Sequence, residues 1–206
     1  MSDFKFRVGT SEDKTQVSEF LNQHFWVEEP TRKTTGIEVT KDIQDRVLRS
    51  LDLGTSTIAE DNNGNIVGIR LAIPKTKESL NKNIGEPQNI LEKIRKDMAD
   101  GANVFERFKT DKTMHSVALA VDGKYRGLGL GEKLYKENMR LARSLGYTVY
   151  VCDCTSAFSA KACVKLGFEN VFEVVFSKYK DANCKLSFSE LPSPPHVKAV
   201  VYVKVL

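Results

Sequence analysis

Arg126-Gly127-Leu128-Gly129-Leu130-Gly131 sets three glycines at alternate positions after an arginine, behind the β-type apolar run Val117–Val121 and ahead of a helical pattern. Amides in such a turn, and in the first turn of the helix that follows, have no intrahelical partner. The helix dipole favours negative charge at the same spot. Glycines let a bulky anion reach the main chain, because no Cβ intervenes. The chemistry this pattern can do is the binding of a pyrophosphate. Two common phosphate motifs do not fit. The P-loop requires Lys and then Ser or Thr after its last glycine, whereas Gly131 is followed by Glu132-Lys133-Leu134. The dinucleotide fingerprint requires glycine where Glu132 stands, and it belongs near the start of a βαβ unit.

The elements that must position this turn follow from periodicity and punctuation. Phe4–Val8 alternates and predicts a strand. A helix starts near Thr10 with Val17, Phe20, Leu21 and His24 or Phe25 on its stripe, and Pro30 is expected to stop it. Lys41–Leu53 is a second amphipathic helix before Gly54. Thr55–Glu60 and Asn65–Ala72 flank Asp61-Asn62-Asn63-Gly64, a hairpin signal. Lys75–Glu86 is polar and reads as a loop, and Asn89–Phe108 as a helix broken near Gly101. Strand Met114–Val121, the glycine turn, a helix from Gly129 to about Leu145 and strand Tyr147–Cys152 come next. A short helix Ser156–Leu166, strand Glu169–Tyr179, a loop through Pro192–Pro195 and strand Ala199–Leu206 complete the chain. This order predicts one mixed α/β domain over residues 1–206.

The 206 residues carry a net charge of +4, with 41% hydrophobic and 28% charged residues, as in an ordinary globular protein. Basic residues are scattered, without a Lys/Arg block interleaved with aromatics, so nucleic-acid binding is not expected. No apolar leader or membrane-length run is present, which points to a cytoplasmic protein without a membrane partner. Cysteines stand at 152, 154, 163 and 184. Cys152-Asp153-Cys154 turns two thiols to one side of a strand, and no zinc set completes it, so reduced thiols and no metal are expected. No heptad pattern is present, which favours a monomer.

The R-G-x-G-x-G turn after a strand resembles the acetyl-CoA loop of GCN5-related N-acetyltransferases. His24-Phe25-Trp26-Val27-Glu28-Glu29-Pro30, Cys154-Thr155-Ser156-Ala157-Phe158-Ser159-Ala160, Lys165-Leu166-Gly167-Phe168 and Pro194-Pro195-His196 occur with it in order. Together they look like the insect arylalkylamine N-acetyltransferases. The resemblance implies the acetyltransferase fold, a central mixed sheet of about seven strands splayed at the acetyl-CoA loop and flanked by helices. It also implies acetyl-CoA as donor. Amides of Arg126, Gly127, Leu128, Gly129, Leu130 and Gly131 are then expected around the pyrophosphate. The main chain of Leu119, Ala120 and Val121 is expected beside the pantetheine, like an added strand.

Acetylating an amine requires a deprotonated nitrogen, a polarised thioester and release of a thiolate. An ammonium titrating near about 10 is nearly all charged at neutral pH, so a base or relay is needed. The resemblance gives this role to the glutamate before the proline, here Glu29. The alternative is a solvated helix end, although a carboxylate pair fits poorly at the negative pole of a helix. Glu28 is a candidate for attracting the cationic amine. Thr155 and Ser159 match family serines tied to catalysis; their spacing puts both hydroxyls on one side if the helix begins near Thr155. Thr155 is equally a candidate helix cap, as is Ser156. Many relatives protonate the thiolate with a tyrosine where Cys163 stands here, so that acid is missing, and Ser159, water or unassisted departure takes its place. Cys163 itself reads as packing. His196 is either a proton relay near the acceptor or a turn residue. The expected activity is acetyl transfer to small arylalkylamines of the dopamine, serotonin, tyramine and octopamine type. Polyamine or agmatine acceptors would require a distant second carboxylate, for which Asp42, Asp45 and Glu38 are candidates. An acyl-CoA-binding module without turnover is the remaining reading.

Overall fold

The computed structural model describes residues 4–82, 87, 89–179 and 192–206. Among the described residues, seven strands form one sheet in the order β1-β2-β3-β4-β5-β7-β6. They are β1 (Lys5–Val8), β2 (Thr57–Glu60), β3 (Ile66–Thr76), β4 (Lys112–Val121), β5 (Val149–Cys154), β6 (Glu169–Val175) and β7 (Lys198–Val205). All neighbours are antiparallel except β4 and β5. That parallel pair is in register only where Met114, His115 and Ser116 face Tyr150, Val151 and Cys152. Past Ser116, β4 stays paired to β3 as far as Val121 while its other edge leaves β5. The sheet therefore splays at its middle, as the resemblance implied.

One face carries α1 (Lys14–Leu21), α3 (Lys41–Asp52) and α5 (Ile90–Ala102); the other carries α7 (Leu130–Ser144) and α8 (Ala157–Lys165). The alternation of β5 assigns its sides. Val149 and Val151 pack with Ile90, Leu91, Ile94 and Met98 of α5, whereas Tyr150, Cys152 and Cys154 pack with Tyr135 of α7 and Cys163 of α8. Asn138 of α7 is fully buried. Its amide donates to Thr55 O at 2.9 Å and Thr57 Oγ1 at 3.0 Å, and its Oδ1 accepts from the Tyr150 hydroxyl at 2.5 Å. Every polar atom of that buried amide is thereby used, tying α7 to two strands.

Four expectations change. Pro30 does not stop α1. The helix runs on through a π-helical turn, Asn22–Trp26, and Pro30 opens α2 (Pro30–Thr35) at its first position, where a missing N–H costs nothing. The segment read as a loop from Lys75 begins as the end of β3 and continues as α4 (Lys77–Lys82), a polar helix without an apolar stripe to reveal it. The helix expected over Asn89–Phe108 breaks at Asn103, whose φ of 40° lies in the left-handed region, and resumes as α6 (Val104–Arg107). The strand expected to reach Tyr179 ends at Val175 in a short 3-10 turn. Cys184 lies outside the described residues.

Candidate active site

Gly127 and Gly129 have φ of 79° and 74°, a conformation that L side chains rarely adopt, and a Cβ built on either meets nothing within 4 Å. The turn therefore opens outward. The first bond into α7 runs from the Lys133 amide to Gly129 O at 3.1 Å, leaving the amides of Leu130, Gly131 and Glu132 as orphans at the helix's positive pole. Among the described residues, those of Gly127, Leu128 and Gly129 find no main-chain acceptor either. Such a cradle fits a pyrophosphate. Leu119, Ala120 and Val121 lie on the part of β4 whose edge has left β5, so their main chain borders the splay. Arg126 anchors the turn: its Nε donates to Val121 O at 3.3 Å, and its guanidinium pairs with Glu28 at 2.5 Å. The structure thus joins Glu28 to the glycine turn.

Glu29 caps α2. Its backbone is extended, and its carboxylate accepts from the Arg32 amide at 2.7 Å and from Thr31 Oγ1 at 2.9 and 2.8 Å. A further donor comes from across the splay, the Thr155 hydroxyl, at 2.6 Å from Glu29 Oε1. Glu29 is 9% exposed, so these donors rather than bulk water orient its carboxylate. The sequence named Glu29 and Thr155 separately; the fold brings them together.

Ser159 goes elsewhere. The helix begins at Ala157 because Ser156, not Thr155, is the cap, its side chain accepting from the Phe158 amide at 3.2 Å. Thr155 lies between the end of β5 and that cap, outside the helix, and the expected shared face with Ser159 is lost. The Ser159 hydroxyl donates to Ser156 O at 2.8 Å and lies beside the Cys154 thiol. His196 Nδ1 accepts from the Ala157 amide at 3.1 Å, so its ring caps the same helix, edge-on to Phe158.

Cys163 is completely buried, with the Tyr135 hydroxyl 3.3 Å and Cys154 Sγ 3.6 Å from its sulfur. Arg70, 2% exposed, enters the same cluster, donating to Cys152 Sγ at 2.9 Å and lying 3.8 Å from the Tyr135 ring centroid. Hydrogen bonds from the Cys152 and Cys154 thiols, with the Arg70 charge nearby, hold Cys163 below the usual thiol range.

One pair escaped sequence reasoning. His115 Nε2 lies 2.8 Å from Asp153 Oδ2, joining β4 and β5 where they part. Burial favours a neutral His115 and lowers its pKa, with Lys75 and Arg70 adding to the lowering against the charge and hydrogen bond of Asp153. Burial alone would raise Asp153, but His115, Lys75 and Arg95 outweigh it and hold that carboxyl at about 2. An acid between two buried cysteines was the available signal. Asp42, Asp45 and Glu38 are exposed. Among the described residues no cluster of His, Cys, Asp and Glu is suited to a metal, and no helix is long and apolar enough to cross a membrane.

Comparison with known proteins places this arrangement. The model of the acetyltransferase (GNAT) family matches residues 19–168. The solved structure of arylalkylamine N-acetyltransferase 2 from Aedes aegypti is 28% identical with a TM-score of 0.87, covering 98% of this chain and 99% of that one. A mosquito arylalkylamine N-acetyltransferase like 5b is 27% identical with a TM-score of 0.89, over 99% and 100% of the two chains. The Drosophila melanogaster polyamine N-acetyltransferase, which catalyses formation of N-acetylagmatine, is 26% identical with a TM-score of 0.86, again over 99% and 100%. The outward-opening glycine turn and the splayed strands are thus those of a chain that belongs to the GNAT acetyltransferase family, with acetyl-CoA as its donor.

Proposed function

We propose that this chain acetylates the primary amine of small arylalkylamines, with Glu29 as general base. The observation that carries the reading is the Thr155–Glu29 hydrogen bond, which fixes a buried carboxylate at the opening between β4 and β5. In this reading Glu29 takes the proton that the amine must lose, directly or through one water, as the nitrogen–carbon bond forms and the carbon–sulfur bond breaks. Thr155 and Thr31 hold the carboxylate in one rotamer, which lowers the cost of orientation. Amides of residues 126–131 hold the donor's phosphates, and the free edge of β4 aligns its pantetheine. Cys163, sealed in the core, is a poor proton donor to the departing thiolate. Ser159 or water supplies that proton, or the thiolate leaves unprotonated. His196 borders the acceptor side in this scheme through its cap on α8, whereas Glu28, first expected to attract the amine, is tied to the donor turn by Arg126.

The agmatine chemistry of the Drosophila relative supports a second reading, the same transfer with a polyamine or agmatine acceptor. A coupled thiol-release assay on Glu29→Gln tests the base. Turnover is expected to fall about 100-fold with a changed pH–rate profile. Acetyl-CoA affinity is expected to hold. A wild-type rate and profile would remove Glu29 from the mechanism.

A further inference from the structure

Around Glu29, ionisable side chains close a circuit on the α5 face of the sheet. Thr155 holds Glu29, and Asp153, two positions earlier on β5, shares the α5 face with Val149 and Val151. His115 bonds Asp153. Lys75, opposite Thr113 in the β3–β4 register, shares the side of His115, since Ile73 faces His115 and the pattern repeats every two residues. Arg95 of α5 is near enough to act on Lys75, Asp153 and Arg32, and Arg32 lies one turn beyond Glu29.

The charges in this circuit do not balance. Among the described residues, Arg32, Lys75 and Arg95 form no ion pair. Arg32 is 5% exposed, and its guanidinium lies 5.3 Å from the Trp26 ring centroid. Its Nη1 reaches only the carbonyls of Ile37 and Glu38, each at 3.3 Å, and its Nε finds no acceptor among the described residues. Glu29 offsets its charge only in part, Arg95 and Arg46 add like charge, and burial weakens the screening that water would give. Three cations face two carboxylates, Asp153 and Glu29, and only Asp153 remains once Glu29 has taken a proton.

We infer that Arg32, Lys75 and Arg95 are specificity-determining residues that reserve the acceptor side for amines whose reacting nitrogen is their sole cation. The far end of the acceptor is then uncharged or anionic, and diamines and guanidinoamines are rejected. The inference rests on Glu29 marking the point of attack. A second cation about 8 Å from one incompletely offset charge, at an effective dielectric of about 20 to 40, is disfavoured roughly tenfold, and more where several charges add.

The test compares kcat/KM for tyramine, agmatine and putrescine in the wild type at low and high salt, then in Lys75→Glu and Arg95→Glu. Tyramine is expected to lead agmatine by about tenfold or more at low salt, with the gap narrowing at high salt. Each variant is expected to raise kcat/KM for agmatine roughly tenfold through KM, with acetyl-CoA affinity unchanged. Agmatine or putrescine matching tyramine in the wild type would overturn the inference while leaving acetyl transfer intact. So would an unchanged preference in variants that retain acetyl-CoA affinity. If either variant fails to fold, a wild-type gap indifferent to salt overturns it equally. Turnover of none of the amines removes the proposed function and the inference with it.

Discussion

Thr155 donates its hydroxyl hydrogen to Glu29 Oε1 at 2.6 Å, across 126 positions of sequence and from the far side of the splay. The bond links the segment just after β5 to the cap of α2.

Removing that hydroxyl isolates its contribution. Thr155→Val keeps the shape and deletes the donor, leaving Thr31 and the Arg32 amide to orient the carboxylate. A hydrogen bond to a charged group contributes about 1.5 to 3 kcal/mol, so kcat is expected to fall roughly tenfold to a hundredfold. KM for acetyl-CoA should hold, and Thr155→Ser should restore most of the rate. A Val variant as fast as wild type would reduce Thr155 to a packing residue.

The His115–Asp153 pair sets a direction for acid sensitivity. His115 titrates lower in the fold than in the unfolded chain, so below about pH 6.5 the unfolded chain binds the extra proton and stability declines as pH falls. Asp153, held at about 2, contributes stability above about pH 4 that is lost as pH drops from there towards 2. Thermal melts from pH 8 to pH 5 should show a decline that His115→Gln flattens. An equal slope in both proteins would contradict a depressed His115.

Gly129→Ala probes the donor turn. The left-handed backbone at φ 74° costs an L residue about 1 to 2 kcal/mol. The added Cβ meets no protein atom but stands where the anion would approach. Acetyl-CoA affinity, followed by calorimetry, is expected to weaken about tenfold or more, while the free protein melts only a few degrees lower. Undiminished affinity would remove the turn from the donor site.

Asn138→Leu tests the buried amide. It leaves Thr55 O, the Thr57 hydroxyl and the Tyr150 hydroxyl without this partner. Each loss costs about 1 to 3 kcal/mol, so denaturant midpoints should report roughly 3 kcal/mol or more of destabilisation. A midpoint near that of wild type would mean that solvent replaces the amide.

Local signals were the legible ones. The glycine turn could be read because strand, turn and helix are contiguous and each carries its own punctuation, and the hairpin at Asp61–Gly64 for the same reason. The Glu29–Thr155 and His115–Asp153 bonds were not legible as bonds, since each joins side chains from separate elements whose register is decided by packing. Thr155 and Ser159 were paired by spacing on the condition that α8 begin near Thr155, whereas it begins at Ala157 behind its Ser156 cap. Arg70 gave no warning either. A single arginine in the run Ile66–Ala72 looks like a solvent-facing residue until Tyr135, Tyr150 and Cys152 close over it.

The free edge of β4 has a consequence for the protein's life between turnovers. Unpaired strand edges at the rim of a sheet invite pairing with other chains, and proteins commonly guard them with charge, proline or a cover. Here the rims belong to β1 and β6, whereas the bare edge past Ser116 lies inside the sheet with β5 as its neighbour in the strand order. A slender, strand-like guest can lie between the two walls, while a second sheet would have to bring its own bulk with it. Placing the gap at the middle of the sheet rather than at its margin leaves that edge open without advertising a seed for aggregation.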